Sequence, residues 1–197
     1  MKRTAQGFTL IELLIVIAVL GILAVAVLSA INPIEQINRS RDTGSRSDAE
    51  QLLGAIDRYY ASMGYYPWRS GPDAGSNAQS FLKLALYGTW IDDKSAVVLD
   101  KLSSSVTTGG TQELKSSFTS RITSVGYNSL FVYNQGNSGD STYICFNGVS
   151  GSFQTEAKDR CNATKGDIPT DLLPIKPNLC GATVTGRSGA QYFTCLP

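Results

Sequence analysis

Residues 8–31 hold one charged side chain, Glu12, in a run that is otherwise apolar from Leu13 to Leu28. A helix over these 24 residues would be ~36 Å long, against a hydrocarbon core of ~30 Å. A segment of this kind can cross a membrane, and the remainder of the chain must then fold without it. Lys2 and Arg3 precede the run, and no further cation occurs until Arg39. The positive-inside rule therefore places the N-terminus in the cytoplasm and the rest of the chain outside. An ordinary secretory signal is the competing reading, with Ala24-Val25-Ala26 as the cleavage site and Val27 as the new N-terminus. An acid inside the apolar region, and a helical pattern that resumes at Ile34, count against it.

Glu12 is the informative residue. A carboxylate in a transmembrane helix costs free energy and normally has a partner. No cation lies within helical reach on its C-terminal side, so a partner has to come from the start of the chain or from another molecule. A cut between Gly7 and Phe8 would create a cationic α-amine within one turn of Glu12. Such a pair, within a chain or between neighbours, would set the axial register of packed helices, because only the matched stagger leaves no charge unpaired.

The stretch Gly7-Phe8-Thr9-Leu10-Ile11-Glu12 and the apolar residues through Ala24 resemble the N-terminus of type IV pilins and pseudopilins. The resemblance implies a leader over residues 1–7, removed by a membrane prepilin peptidase that cuts after Gly7 and N-methylates Phe8. It makes Glu12 the assembly glutamate, the fifth residue of the mature chain. It also implies a cytoplasmic assembly ATPase, a platform protein and polymerisation with identical or homologous pilin subunits. One departure concerns the helix. Many family members carry a proline one residue after the position of Leu28, where this chain has Ser29, and a proline follows only at Pro33. Pro33 removes a backbone donor and disfavours helix at Asn32. Gly21 is a second candidate break, or alternatively a point of close helix packing.

From Ile34 to Met63 apolar residues recur at three- and four-residue spacings, with Gly64 as a C-cap and Pro67 beyond it. Residues 38–50 nearly lack large apolar side chains. Arg39, Arg41 and Arg46 alternate there with Asp42, Asp48 and Glu50, which fits pairs along the helix or salt bridges between subunits. The aromatics Tyr59, Tyr60, Tyr65, Tyr66 and Trp68 crowd the helix end, and packing under the following loop explains them better than a stacking platform for a ligand. The apolar pattern reads as a helix over 76–90, and a second short helix over 91–102 starts at Asp92-Asp93. Residues 103–111 read as a loop. Residues 129–135 and 141–147 form a hairpin about the Gly136–Asp140 turn, residues 153–161 a short helix, and 182–187 with 191–196 a second hairpin. The expected fold class is α+β: a long N-terminal helix, part transmembrane and part amphipathic, with the amphipathic half packed on a four-stranded antiparallel sheet. The corresponding organisation is leader 1–7, filament-core helix 8–32, amphipathic helix 33–64 and an extracytoplasmic domain over 65–197.

Composition narrows the chemistry. The 197 residues carry a net charge of +1, so no nucleic-acid affinity is expected. Histidine is absent, which removes the commonest general base and metal ligand. No catalytic triad, phosphate loop or metal spacing occurs, and no cofactor is implied. The acids are too scattered for a calcium loop, and Cys145, Cys161, Cys180 and Cys195 lack the close spacing of a zinc site. Four cysteines in the segment read as extracytoplasmic imply two disulfides, and short loops favour Cys145–Cys161 with Cys180–Cys195. The chain therefore reads as a pilus filament subunit rather than an enzyme. A pseudopilin of a secretion or competence system is the alternative, and a tethered enzyme or binding domain a distant third.

Overall fold

A computed structural model describes residues 7–30, 32–85, 87–103, 110–162, 166, 168–184 and 187–197. The leader positions 1–6, the 104–109 part of the expected loop, and residues 185 and 186 of the expected hairpin lie outside them. The chain divides into two compact units, Met1–Ile37 and Asn38–Pro197.

The first unit is dominated by α1, Leu10–Ala30. Every described side chain of this helix is exposed. Among the described residues it is the one helix long and apolar enough to cross a membrane, over Leu10–Ser29. Its few polar groups are satisfied locally, and the Ser29 hydroxyl donates to the Ala26 carbonyl at 2.8 Å. Gly21 makes no break. The helix runs through it, because the roughly 1 kcal/mol penalty of one glycine is small against twenty helix-forming neighbours. The interruption falls between Ala30 and Pro33, where α2 (Pro33–Met63) begins. Asn32 caps the new helix by accepting the Glu35 N–H at 3.3 Å, and Pro33 occupies the first position, where a missing N–H costs nothing.

The second unit starts within α2. Its buried residues are Asp42, Ser45, Asp48, Ala49, Leu52, Ala55, Ile56 and Tyr59, a stripe at mostly three-residue steps whose first three members are polar. Asp42 is fully buried. Its carboxylate accepts the Val149 N–H at 2.8 and 2.9 Å, the Ser150 N–H at 2.7 Å and the Ser150 hydroxyl at 2.6 Å. Asp48 accepts Arg121 Nη2 at 2.6 Å and the Tyr127 hydroxyl. Asn128 donates to the Ser45 hydroxyl at 3.2 Å. The polar stretch 38–50 is therefore neither merely solvated nor held chiefly by pairs along the helix; of those, Arg46 to Glu50 at 3.4 Å is formed. Two of its three acids, Asp42 and Asp48, serve the interior of their own unit.

The apolar half of the stripe packs on an antiparallel sheet of five strands, ordered β1-β2-β3-β5-β4. These are β1 (Gln79–Lys83), β2 (Leu130–Asn134), β3 (Tyr143–Asn147), β4 (Cys180–Ala182) and β5 (Gln191–Leu196). Strand alternation sends Leu130, Val132, Ile144 and Phe146 into the core shared with α2. That core also takes residues from α3 (Val98–Ser103) and α4 (Ser116–Ile122). The opposite face presents Phe131, Tyr133, Tyr143, Cys145 and Phe193 to a second core, closed by Ile168, Leu172, Ile175 and Leu179. The last three belong to a 3₁₀ turn over Thr170–Ile175 and the short α6, Lys176–Leu179. The helix α5, Gly151–Cys161, follows β3, with Ser150 as its cap.

Several expectations are corrected. Residues 76–90 contain β1 rather than a helix. Phe81 stacks on Phe131 at 4.9 Å in one core while Leu82 and Leu84 face the other, a period of two hidden in a short apolar run. In 91–102 only Val98–Ser103 is helical, because Asp92 caps a turn, accepting the Lys94 and Ala96 N–H groups at 2.8 Å each. The edge strand expected at 182–187 is Cys180–Ala182, and β1 makes five strands where four were expected. The disulfides are Cys145–Cys195 and Cys161–Cys180, not the sequential pairs. Cys145 and Cys195 sit directly opposite one another on β3 and β5, so strand pairing overrides loop length. The end of α2 falls at Met63, with Gly64 at φ 78° as the cap, Tyr66 stacked on the buried Trp68 and Tyr60 tilted against Tyr66 at the surface.

That loop is held from inside. The Lys101 ammonium lies 2.5 Å from Asp92, with both side chains nearly buried, and donates to the Pro67 and Arg69 carbonyls at 3.1 and 2.8 Å. Burial opposes ionisation of Asp92, but Lys101 and the two N–H donors outweigh it and hold its carboxyl below the ordinary value. The pair thus contributes stability above the unfolded carboxyl value of about 4, lost as the pH falls through the lower folded value. Lys101→Met should destabilise this unit by about 3–5 kcal/mol by stranding Asp92, and Arg46→Ala by under ~0.5 kcal/mol. Urea unfolding followed by the buried Trp68 and Trp90, at pH 7 and at acid pH, measures both.

Candidate processing and assembly site

Gly7, Phe8 and Thr9 precede α1 without regular structure, and Gly7 and Phe8 are exposed, Phe8 at 82%. The Gly7–Phe8 peptide is therefore accessible. A Cβ added to Gly7 would meet nothing within 4 Å, and the residue is not in the left-handed region. Nothing in the described chain requires glycine there.

Thr9 is the N-cap of α1, and Glu12 stands at its third position. The Thr9 N–H donates to Glu12 Oε2 at 2.8 Å, the Thr9 hydroxyl donates to the same oxygen at 2.7 Å, and the Glu12 N–H returns to Thr9 Oγ1 at 3.3 Å. This is a reciprocal capping box, which satisfies donors that the first turn of a helix otherwise leaves open. The partner sought for Glu12 in a cation is thus, in the single chain, a threonine three residues before it. The pattern Thr-x-x-Glu ahead of an apolar run is visible in the sequence, and it is the signal that reading for charges passes over.

Gly21 and Pro33 lie at the middle of α1 and the start of α2. The four cysteines sit in the second unit, all in disulfides. Among the described residues no group of three or more His, Cys, Asp or Glu could hold a metal ion. An apolar cavity of about 170 Å³, lined by Tyr143, Ala157, Leu172, Leu179 and Phe193, has one cation at its wall, Arg160, which is bound to Glu156 at 2.9 Å.

An apolar, exposed helix that opens on an accessible Gly–Phe peptide, and an α+β unit built on the helix that follows, are the features of a pilin-like protein. Residues 2–28 match the family model of the prokaryotic N-terminal methylation motif. The chain is 40% identical over 67 residues to fimbrial protein EcpC of Eikenella corrodens, covering 34% of this chain and 42% of that protein. It is 34% identical over 105 residues to a fimbrial protein of Neisseria meningitidis serogroup B, covering 53% and 59% respectively. It is 36% identical over 83 residues to the type IV major pilin protein PilE of Neisseria gonorrhoeae, covering 42% and 48%. The chain spans about half the length of the curated relatives it matches, and no solved structure matches it significantly. Motif and relatives together support the type IV pilin family and a pilin-type subunit.

The capping box carries its own test. Thr9→Val keeps the shape and removes the hydroxyl. Amide exchange over residues 10–13, measured on the full chain in detergent micelles, should quicken roughly fivefold, the effect of one lost N-cap. Thr9→Ser should leave it unchanged.

Proposed function

We propose that this chain is the subunit of a type IV pilus filament. It is made with the leader 1–7, cut after Gly7, methylated on the new Phe8 amine by a prepilin peptidase, and polymerised through α1. The observation that carries this reading is α1 itself, whose apolar side chains from Leu10 to Leu28 are exposed in the single chain. Burial of a large aliphatic side chain is worth about 1.5–3 kcal/mol, so such a helix stays in lipid or packs against copies of itself. A Gly7 that its own fold does not require fits a residue read by a peptidase. The precursor is then a single-pass membrane protein with its N-terminus in the cytoplasm, and the mature chain stands in an extracellular filament. The assembly ATPase and platform protein belong to the same reading.

Glu12 has two successive partners in this scheme. Thr9 holds its carboxylate in the single chain. Release of the Phe8 amine supplies a cation, on the same or a neighbouring subunit, that fixes the stagger between helices during assembly.

Mass spectrometry of the mature protein should show an N-terminus at Phe8 bearing one added methyl group, and an N-terminus at Val27 would sink the reading. Glu12→Ala should be cleaved normally yet yield few or no fibres; ordinary fibres from it would remove the register role. Electron microscopy of sheared surface material decides the type of filament. Long fibres containing this chain are expected, and their absence beside a correctly processed N-terminus would assign it to a pseudopilus.

A further inference from the structure

Residues 33–50 contain the acids Glu35, Asp42, Asp48 and Glu50 and the bases Arg39, Arg41 and Arg46. Along the sequence the two signs nearly cancel. The fold separates them. Asp42 and Asp48 are buried and bonded within the second unit, and Arg46 is paired with Glu50. Arg39 and Arg41 are exposed and, among the described residues, their side chains make no hydrogen bond or ion pair.

Two residues apart on a helix is about 200°, so these guanidinium groups leave α2 on nearly opposite sides. A single protein partner meets one side of a helix. A layer of phosphates meets all sides of a helix that rises through it. Connectivity keeps both cations near such a layer, since they follow Ser29, the last residue of the apolar span, by only ten and twelve residues. Side chains on a helix lean toward its N-terminus, the end of α2 that the chain joins to the span. The guanidinium fork also matches phosphate geometry.

We propose that Arg39 and Arg41 form a cationic collar that binds the phosphates of anionic phospholipids on the side of the membrane where α2 emerges, holding the subunit in the bilayer until it is extracted. This rests on the membrane-inserted precursor proposed above. Attraction of this kind is screened by salt.

The test uses the full chain in vesicles of phosphatidylcholine and phosphatidylglycerol at about two to one, with trace spin-labelled lipid of either kind. The preference of the chain's immobilised lipid shell for phosphatidylglycerol is read by electron paramagnetic resonance. Lys2 and Arg3 contribute a preference common to all variants. Arg39→Gln with Arg41→Gln should lower the preference at least twofold, the lost part should also vanish at high salt, and Lys158→Gln should keep the full value. An unchanged preference in the double variant overturns the collar, as does an equal loss in Lys158→Gln. Unchanged lipid preference with fewer cross-linked copies would give the arginines to a second subunit instead. A chain that fails to float with the vesicles at all would overturn membrane insertion itself.

Discussion

A helix that buries none of its apolar surface within its own chain has to be kept from competing for the core that the rest of the chain builds. The two surfaces are chemically alike, since Leu, Ile and Val would fill either. What distinguishes them is the polar start of the buried stripe on α2. Asp42 accepts four hydrogen bonds from Val149 and Ser150, and Asp48 accepts from Arg121 and Tyr127. An apolar helix laid over the same position would leave the buried Ser150 donors unpaired, at a cost of about 1–3 kcal/mol each. Docking thereby favours a segment with carboxylates at the spacing of Asp42 and Asp48. Gly148 shows how close the fit is, since an added Cβ there would lie 2.6 Å from the Phe153 Cβ and 3.3 Å from an Asp42 oxygen.

The features legible in the sequence are those fixed by neighbours along the chain. Asn32-Pro33 is at once a poor place to continue one helix and a good place to begin another. Gly64 ends α2 because its φ of 78° suits a C-cap. The hairpin of β2 and β3 announces itself by two apolar runs about a glycine-rich turn. What stayed hidden depends on residues far apart. Asp42 and Asp48 look like surface charges until residues 121–150 arrive to bury them. β1 is a five-residue strand whose two faces belong to different cores, and its apolar run is too short for the period of two to stand out from a helical pattern. At the candidate site the Gly7–Phe8 peptide and Glu12 stood out by composition and position. The role of Thr9 did not, although it is local, because a hydroxyl carries no charge to attract notice.

The sheet uses both of its faces, and the second face is why the last part of the chain is needed. Phe81, Phe131 and Phe193 meet edge-to-face and stacked at 4.9 to 5.8 Å, a cluster too large to leave in water. The segment that covers it carries the 3₁₀ turn Thr170–Ile175 and α6. It is tied at its two ends by Cys161–Cys180, and Tyr143 donates to Asp171 at 2.9 Å to hold its middle. Burial and that carboxylate push the Tyr143 phenol up to about 12, so it remains a donor across the physiological range.

The disulfides are nested: Cys145–Cys195 encloses Cys161–Cys180. In sequence order Cys145 comes first and Cys195 last, so the first thiol is joined to the last one. Oxidation in order of appearance would instead join Cys145 to Cys161 and clamp the end of α5 against β3. The native outer bond matches the pairing of β5 with β3, which sets Cys145 opposite Cys195. The connectivity is that of neighbours in the folded sheet, not of neighbours along the chain.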